Sequence, residues 1–245
     1  MSFGNSFGGF CVIHAPFACP ERRPLFENEL KRVGINKFNV IEAKPVPDTD
    51  FRLSKYRPKS NGVLSLIDAV KSAIEFAKKQ QWDSLVIFED DIIFRNNFLK
   101  LWQDVEEDVN KRNFSIMALH RRSANNKLIT VEKYFQKNKL VPLIHNMGTQ
   151  CVIVNEESYD RLIEALDICI EKGWPYDFFY GVTDSLGCRL IATSKNLAGQ
   201  KGGLKSTLQG SNVRNNFYSS FFSCRTLIEY APLWIYYTIK NKLRK

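Results

Sequence analysis

Leu85-Val86-Ile87-Phe88-Glu89-Asp90-Asp91-Ile92-Ile93-Phe94 is the stretch on which the reading of this chain turns. From Trp82 to Phe88 the residues are strongly apolar and of strand length, the pattern of a strand buried on both faces of a sheet. Three acids follow at once. An open α/β sheet binds ligands outside the carboxyl ends of its strands, so Glu89, Asp90 and Asp91 are expected at the rim of that crevice. Adjacent carboxylates repel one another, and a divalent cation that takes oxygen ligands relieves the repulsion. The competing reading is structural: a turn acid, and one buried acid paired with an arginine.

Working outward toward the N-terminus, residues 10–14 read as a short buried strand. Pro16 and Pro20 break it, residues 24–33 are helix-like and closed by Gly34, and residues 38–41 form a second strand. Strand, helix and strand in this order make the βαβ unit of a parallel sheet. The polar, proline-bearing stretch 44–61 is too long for a tight connection, and such loops often carry ligand contacts. Val63, Leu64, Ile67, Val70, Ile74 and Ala77 then recur at helical spacing. Toward the C-terminus, residues 98–109 are amphipathic and helical, and residues 114–119 and 148–154 are strands. Asn155, followed by Glu156 and Glu157, is expected to cap a helix that runs through Ile170, closes at Gly173 and is stopped by Pro175. Residues 195–216, rich in Gly, Ser, Asn and Gln, read as a loop that orders on binding. The expected fold class is α/β, with a mostly parallel central sheet and a C-terminal helical extension.

Composition narrows the class of partner. The 245 residues are 44% hydrophobic and 25% charged, which argues against a disordered, collagen-like or coiled-coil chain. A net charge of +9 implies a polyanion: nucleic acid, nucleotide phosphates or an anionic membrane. The six cysteines lack CxxC spacing and mostly lie in apolar stretches, so reduced core thiols in a cytoplasmic protein are expected. Residues 1–10 show no secretory pattern, which points the same way. Residues 227–239 are aromatic and aliphatic, but they contain Glu229 and Pro232 and fall short of the roughly 20 apolar residues a spanning helix needs. A basic run, 240–245, follows Trp234, Tyr236 and Tyr237. Either this end docks on the core with a solvated basic tail, or it rests peripherally on an anionic membrane surface.

The opening strand with its arginine-bearing helix, the apolar helix, Glu89-Asp90-Asp91, and Gly148-Thr149 with the strand after it resemble the family 25 glycosyltransferases. That family includes lipooligosaccharide galactosyltransferases and the related collagen galactosyltransferases. The resemblance covers residues 9–210 and leaves 211–245 as an aromatic and basic extension. It implies a GT-A fold, a nucleotide-binding α/β sandwich, and transfer of a sugar, galactose favoured, from a UDP-sugar donor to a glycan or glycolipid acceptor such as lipooligosaccharide. Arg22 or Arg23 corresponds to the donor-facing turn, Asp177 to the family's aspartate after the later helix, and Gln200 and Ser206 to its closing glutamine and serine. The family's Gly-Cys-x-x-Ser-His helix start reads Asn61-Gly62-Val63-Leu64-Ser65-Leu66 here. The serine is kept and leucine replaces the histidine, so this chain is a divergent member of the pattern.

Sugar transfer from a nucleotide diphosphate needs help for the negative charge on the departing diphosphate, and for an inverting reaction it needs a base on the acceptor hydroxyl. Asp91 with Glu89 would hold Mn²⁺ or Mg²⁺ against the diphosphate, and Asp90 would reach the donor ribose or sugar. Arg22, Arg23 and Lys59 are basic candidates for phosphate, or else solvated surface charges. Asp177, among Trp174, Tyr176, Phe178 and Phe179, is the candidate base, with Asp184 as alternative; Asp177 also reads as a helix N-cap. His14 at the first strand's end is either near the nucleotide or structural. His120 beside Arg121 and Arg122 suits a phosphate or acceptor, and His145 suits the acceptor side. Two rivals stand beside the transferase: a catalytically decayed nucleotide-sugar-binding protein, motivated by Leu66, and a metal-dependent nuclease. The nuclease, and with it a nucleic acid partner, is disfavoured because the basic residues are dispersed.

Overall fold

The computed structural model describes residues 3–55, 61–120, 139–143 and 149–201. A seven-stranded sheet is built from β1 (Gly9–His14), β2 (Asn39–Glu42), β3 (Ser84–Glu89), β5 (Ile116–Ala118), β6 (Leu140–Pro142), β7 (Cys151–Asn155) and β8 (Leu190–Thr193), in the order β2-β1-β3-β7-β5-β8-β6. The pairings of β1 with β2, β1 with β3 and β5 with β8 are parallel. Those of β3 with β7, β5 with β7 and β6 with β8 are antiparallel. Five strands therefore run one way and two, β6 and β7, against them. A separate pair joins β4 (Ile92–Phe94) to β9 (Ala198–Gln200), with Ile92 opposite Gln200.

Strand alternation explains why the central strands read as unbroken apolar runs. Cys11, Ile13, Leu85 and Ile87 face one side, under α2 (Asn61–Lys79), α4 (Tyr159–Lys172) and α5 (Phe179–Ser185), through Ile67, Ile74, Leu162, Leu166 and Phe179. Phe10, Val12, Val86 and Phe88 face the other, under α1 (Arg23–Arg32) and α3 (Phe98–Lys111), through Phe26, Leu30, Phe98 and Trp102. Both faces are covered, so neither register of the alternation can be polar. This is a mixed α/β sandwich of the expected class. The expected βαβ opening is β1-α1-β2, with Gly34 at φ 82° ending its helix.

Gly173 closes α4 as expected, at φ 66° in the left-handed region, with the Trp174 N–H bonded to the Cys169 carbonyl. At the other end the expectation fails. Asn155 does not cap the helix: its Nδ2 donates to the Phe114 carbonyl across the sheet, and a 3₁₀ turn, Glu156–Ser158, leads into α4 instead. Asp177 caps no helix either, lying inside a 3₁₀ turn, Tyr176–Phe178, while Phe178 stands at the N-cap of α5. Cys11, Cys19, Cys151, Cys169 and Cys188 are buried, and no disulfide is formed among the described residues. The domain limit at residue 210 and the extension 211–245 lie outside the described residues, within which no helix is long and apolar enough to cross a membrane.

Candidate donor site at the carboxyl edge of the sheet

Strand register gathers the chemistry at one edge. Ile13 pairs with Glu89, Phe88 with Cys151 and Ala118 with Val152, so the ends of β1, β3 and β5 and the beginning of antiparallel β7 lie side by side. Extended by a residue or two, these strands bring together His14, the three acids, His120, Thr149 and Gln150. A cavity of about 320 Å³ opens there. Glu89, Asp90, Asp91, Arg22 and Gln200 form its polar side, and Ile13, Ala43 and Val46 contribute apolar wall. The long connection after β2 supplies Pro45 and Val46, and the first turns of α2 supply Asn61, Gly62, Ser65 and Leu66. Leucine thus stands in the cavity wall where the resemblance places histidine.

The three acids are held in three different ways. Glu89 accepts a hydrogen bond from the Thr149 hydroxyl. Burial raises its pKa, the neighbouring charges of Asp91, Asp177 and Asp90 add to that, and the Thr149 bond works against it. Asp90 takes Arg22 Nη1 on Oδ1 at 2.5 Å, and on Oδ2 it takes His14 Nδ1 at 2.8 Å and the Ala15 N–H at 3.3 Å. Asp91 accepts Gln200 Nε2 on Oδ2 at 2.9 Å and has Arg22 Nη1 at 3.6 Å. Its Oδ1 is buried with no hydrogen-bond partner among the described residues. Burial raises the Asp91 pKa, and the attraction of Arg22 and the Gln200 bond offset this only in part. For Arg22, burial opposes the charge, but Asp90 and Asp91 overcome it and the pKa is raised, so the guanidinium stays charged inside the protein.

A buried carboxylate oxygen without a partner among the described residues, beside the half-buried carboxylate of Glu89, fits a hard divalent cation. Among the described residues no three His, Cys, Asp or Glu side chains form a cage. Mg²⁺-like ions do not require one, since they characteristically take one or two carboxylates and complete their shell with substrate phosphates and water. Glu89 and Asp91 are the residues that would hold such an ion.

The other expected residues divide. Arg22 is buried at the site, whereas Arg23 points away and pairs with Glu27 at 3.1 Å, half exposed. His14 is buried against Asp90 and packs edge-on to Phe26. His120 is buried with its Nδ1 2.6 Å from Gln150 Oε1, and the Gln150 carbonyl accepts the Glu89 N–H, so His120 supports the strand end one layer behind the acids. Gln200 reaches Asp91 because β9 pairs with β4 directly after the motif, an arrangement reinforced by the Lys201 N–H on the Asp91 carbonyl. Asp177 does not line the cavity, but its charge acts on both Glu89 and buried Tyr176. Asp184 stands in the last turn of α5 and does not line the cavity. Lys59, His145 and Ser206 lie outside the described residues. Sequence reasoning missed Gln150 and the half-exposed Phe17 at the cavity wall. The only signal for Gln150 was its place before a strand whose direction the sequence does not reveal.

No protein-family model matches the chain, and no curated protein matches it in sequence. Solved structures do resemble it in chain course. A glycosyltransferase involved in the glycosylation of the major capsid of PBCV-1 is 13% identical over 75% of this chain and 79% of its own, with a TM-score of 0.45. A197 from STIV is 11% identical over 87% of this chain and 97% of its own, with a TM-score of 0.43. A mutant Drosophila β1,4-galactosyltransferase 7, in complex with manganese, UDP-Gal and xylobiose, is 10% identical over 78% of this chain and 70% of its own, with a TM-score of 0.36.

Proposed function

We propose that this chain is a divalent-metal-dependent glycosyltransferase that moves a sugar, galactose favoured, from a nucleotide diphosphate donor, UDP favoured, to a glycan or glycolipid acceptor such as lipooligosaccharide. The observation that carries the reading is the partnerless, buried Oδ1 of Asp91, beside Glu89, on a cavity that also presents Arg22. A bound Mn²⁺ or Mg²⁺ supplies charge neutralisation to the departing diphosphate. Arg22 adds a fixed cation on the same wall, which acts on charge that develops as the sugar–phosphate bond breaks. Ile13, Ala43 and Val46 offer an apolar surface for the nucleoside. For an inverting transfer, Asp177 takes the proton from the acceptor hydroxyl, and the half-buried Trp174 and Phe178 beside it supply a sugar-stacking surface. The protein works in the cytoplasm, and residues 211–245 bring it to an anionic membrane surface.

Thermal melting with UDP, GDP and CMP sugars, with and without Mn²⁺, tests the reading. A donor at a hundredfold excess over its dissociation constant stabilises the fold by about 2.7 kcal/mol. If no nucleotide raises the melting temperature in the presence of Mn²⁺, the reading is wrong. Leu66 in the cavity wall favours a second reading, a nucleotide-sugar-binding protein without turnover. Donor hydrolysis in Mn²⁺ separates the two.

A further inference from the structure

Asp90 borders the cavity, yet its carboxylate is turned to the protein. It is 6% exposed, and its two oxygens accept three N–H groups, from Arg22, His14 and Ala15. A carboxylate only accepts hydrogen bonds, so the His14 Nδ1 carries its hydrogen toward Asp90. Asp91, one residue on, keeps a partnerless oxygen. We propose that Asp90 is neither a metal nor a donor ligand but a positioning residue, which fixes the Arg22 guanidinium on the cavity wall as the cation that meets the diphosphate, with His14 and the Ala15 N–H as its anchors at the end of β1.

The inference rests on the donor-site reading above and assigns that site's work among its acids. Arg22 ends a 3₁₀ turn, Pro20–Arg22, in a proline-broken connection, and a long side chain there has many rotamers to lose on binding an anion. The short contact to Asp90 removes that freedom before the ligand arrives, which is how preorganisation raises affinity. The anchor is rigid in turn. His14 ends a fully buried central strand and packs against Phe26, so the guanidinium is tied to the sheet rather than to its own turn.

The test compares the full chain with Asp90→Asn, Arg22→Gln, their double variant and Asp91→Asn, all checked for folding by circular dichroism. Mn²⁺ binding is followed by the electron paramagnetic resonance of the free ion, and UDP binding at saturating Mn²⁺ by calorimetry. Asp90→Asn is expected to keep Mn²⁺ affinity within about threefold and to weaken UDP about tenfold or more, with Arg22→Gln doing the same. The double variant is expected to be no worse than either single one, since coupled residues are not additive. Asp91→Asn loses Mn²⁺. Loss of Mn²⁺ by Asp90→Asn, or additive penalties for UDP, overturns the positioning role. If Asp90→Asn does not fold, Arg22→Gln decides alone, and UDP binding equal to the parent's overturns it. A parent chain that binds neither Mn²⁺ nor UDP overturns the donor-site reading itself, and this inference with it.

Discussion

Asp91→Asn should make the metal-free protein more stable while abolishing its response to Mn²⁺. In the folded chain, burial and to a lesser degree the charge of Asp90 raise the Asp91 pKa, and Arg22 and Gln200 offset this only in part. The favourable contacts therefore fail to compensate the charge when no cation is bound. Oδ1 is a buried acceptor without a partner, a condition that costs about 1–3 kcal/mol. Asparagine keeps an oxygen for Gln200 and puts its Nδ2 where Oδ1 stood, so the gain comes from removing the charge, up to about 3 kcal/mol for a pKa raised from 3.8 to about 6. It also removes the second largest cause of the raised Glu89 pKa, which relieves that group as well. Recovering about 1–3 kcal/mol in a chain of this size raises the melting temperature by about 2–12 °C, at roughly 2–4 °C per kcal/mol. The gain depends on pH in a definite direction. With folded-state pKa values above those of the unfolded chain, Glu89 and Asp91 make the folded state bind more protons. Their contribution to stability is fully present below the unfolded carboxyl range and is lost as pH rises through the folded values. The variant's advantage should be large at about pH 8 and nearly vanish at about pH 4.5, where the parent's acids are protonated. Calorimetric melts of both proteins at the two pH values, with and without Mn²⁺, provide the measurement. A variant that melts below the parent at the higher pH without metal, or that keeps the parent's Mn²⁺ shift, would refute the reasoning.

Thr149→Val removes the hydrogen bond that opposes the rise in the Glu89 pKa, so Mn²⁺ must compete with a more tightly held proton. The pH midpoint of the Mn²⁺-induced melting shift should move upward, and an unchanged midpoint would show that Glu89 takes no part in holding the ion. Asp177→Asn should leave the Mn²⁺ and UDP melting shift intact while slowing transfer to acceptor by about 10²–10⁴-fold, and unimpaired transfer would exclude it as the base. Gly173→Ala puts a Cβ 1.9 Å from the Lys55 carbonyl oxygen at a left-handed φ of 66°. Urea unfolding should show a loss of more than about 1 kcal/mol, and a neutral result would mean the Lys55 segment gives way freely.

The apolar runs of residues 10–14 and 82–88, with the helical spacing of Ile67, Val70 and Ile74, were enough to read a two-faced α/β sheet and to put the acids at a strand end. Those features are local: a strand buried on both sides has no polar positions, and a helix with one buried face repeats every three to four residues. The motif Glu89-Asp90-Asp91 was legible for the same reason, as charge abutting an apolar run. β6, β8 and β9 were not read, because three or four residues carry no measurable period; β2 and β5 are as short and were read only because Phe38, Phe114 and Leu119 lengthen their apolar runs. The antiparallel course of β7, which brings Thr149 and Gln150 to the carboxyl edge, was not read either.

The division of labour among the acids was the tertiary structure's to decide. Three neighbouring carboxylates look alike in sequence. Asp90 is turned inward by Arg22 from a turn 68 residues away and His14 from a strand 76 residues away. Glu89 meets Thr149 60 residues on, and Asp91 is met by Gln200 109 residues on, with one oxygen left over. Arg22 and Arg23 adjoin in the chain, but one is buried against aspartate and the other is exposed beside Glu27. The sequence by itself determined that there would be an acidic strand end on an α/β sandwich. Only long-range packing determined which oxygen is left for a cation, because the partners that consume the others arrive from distant segments.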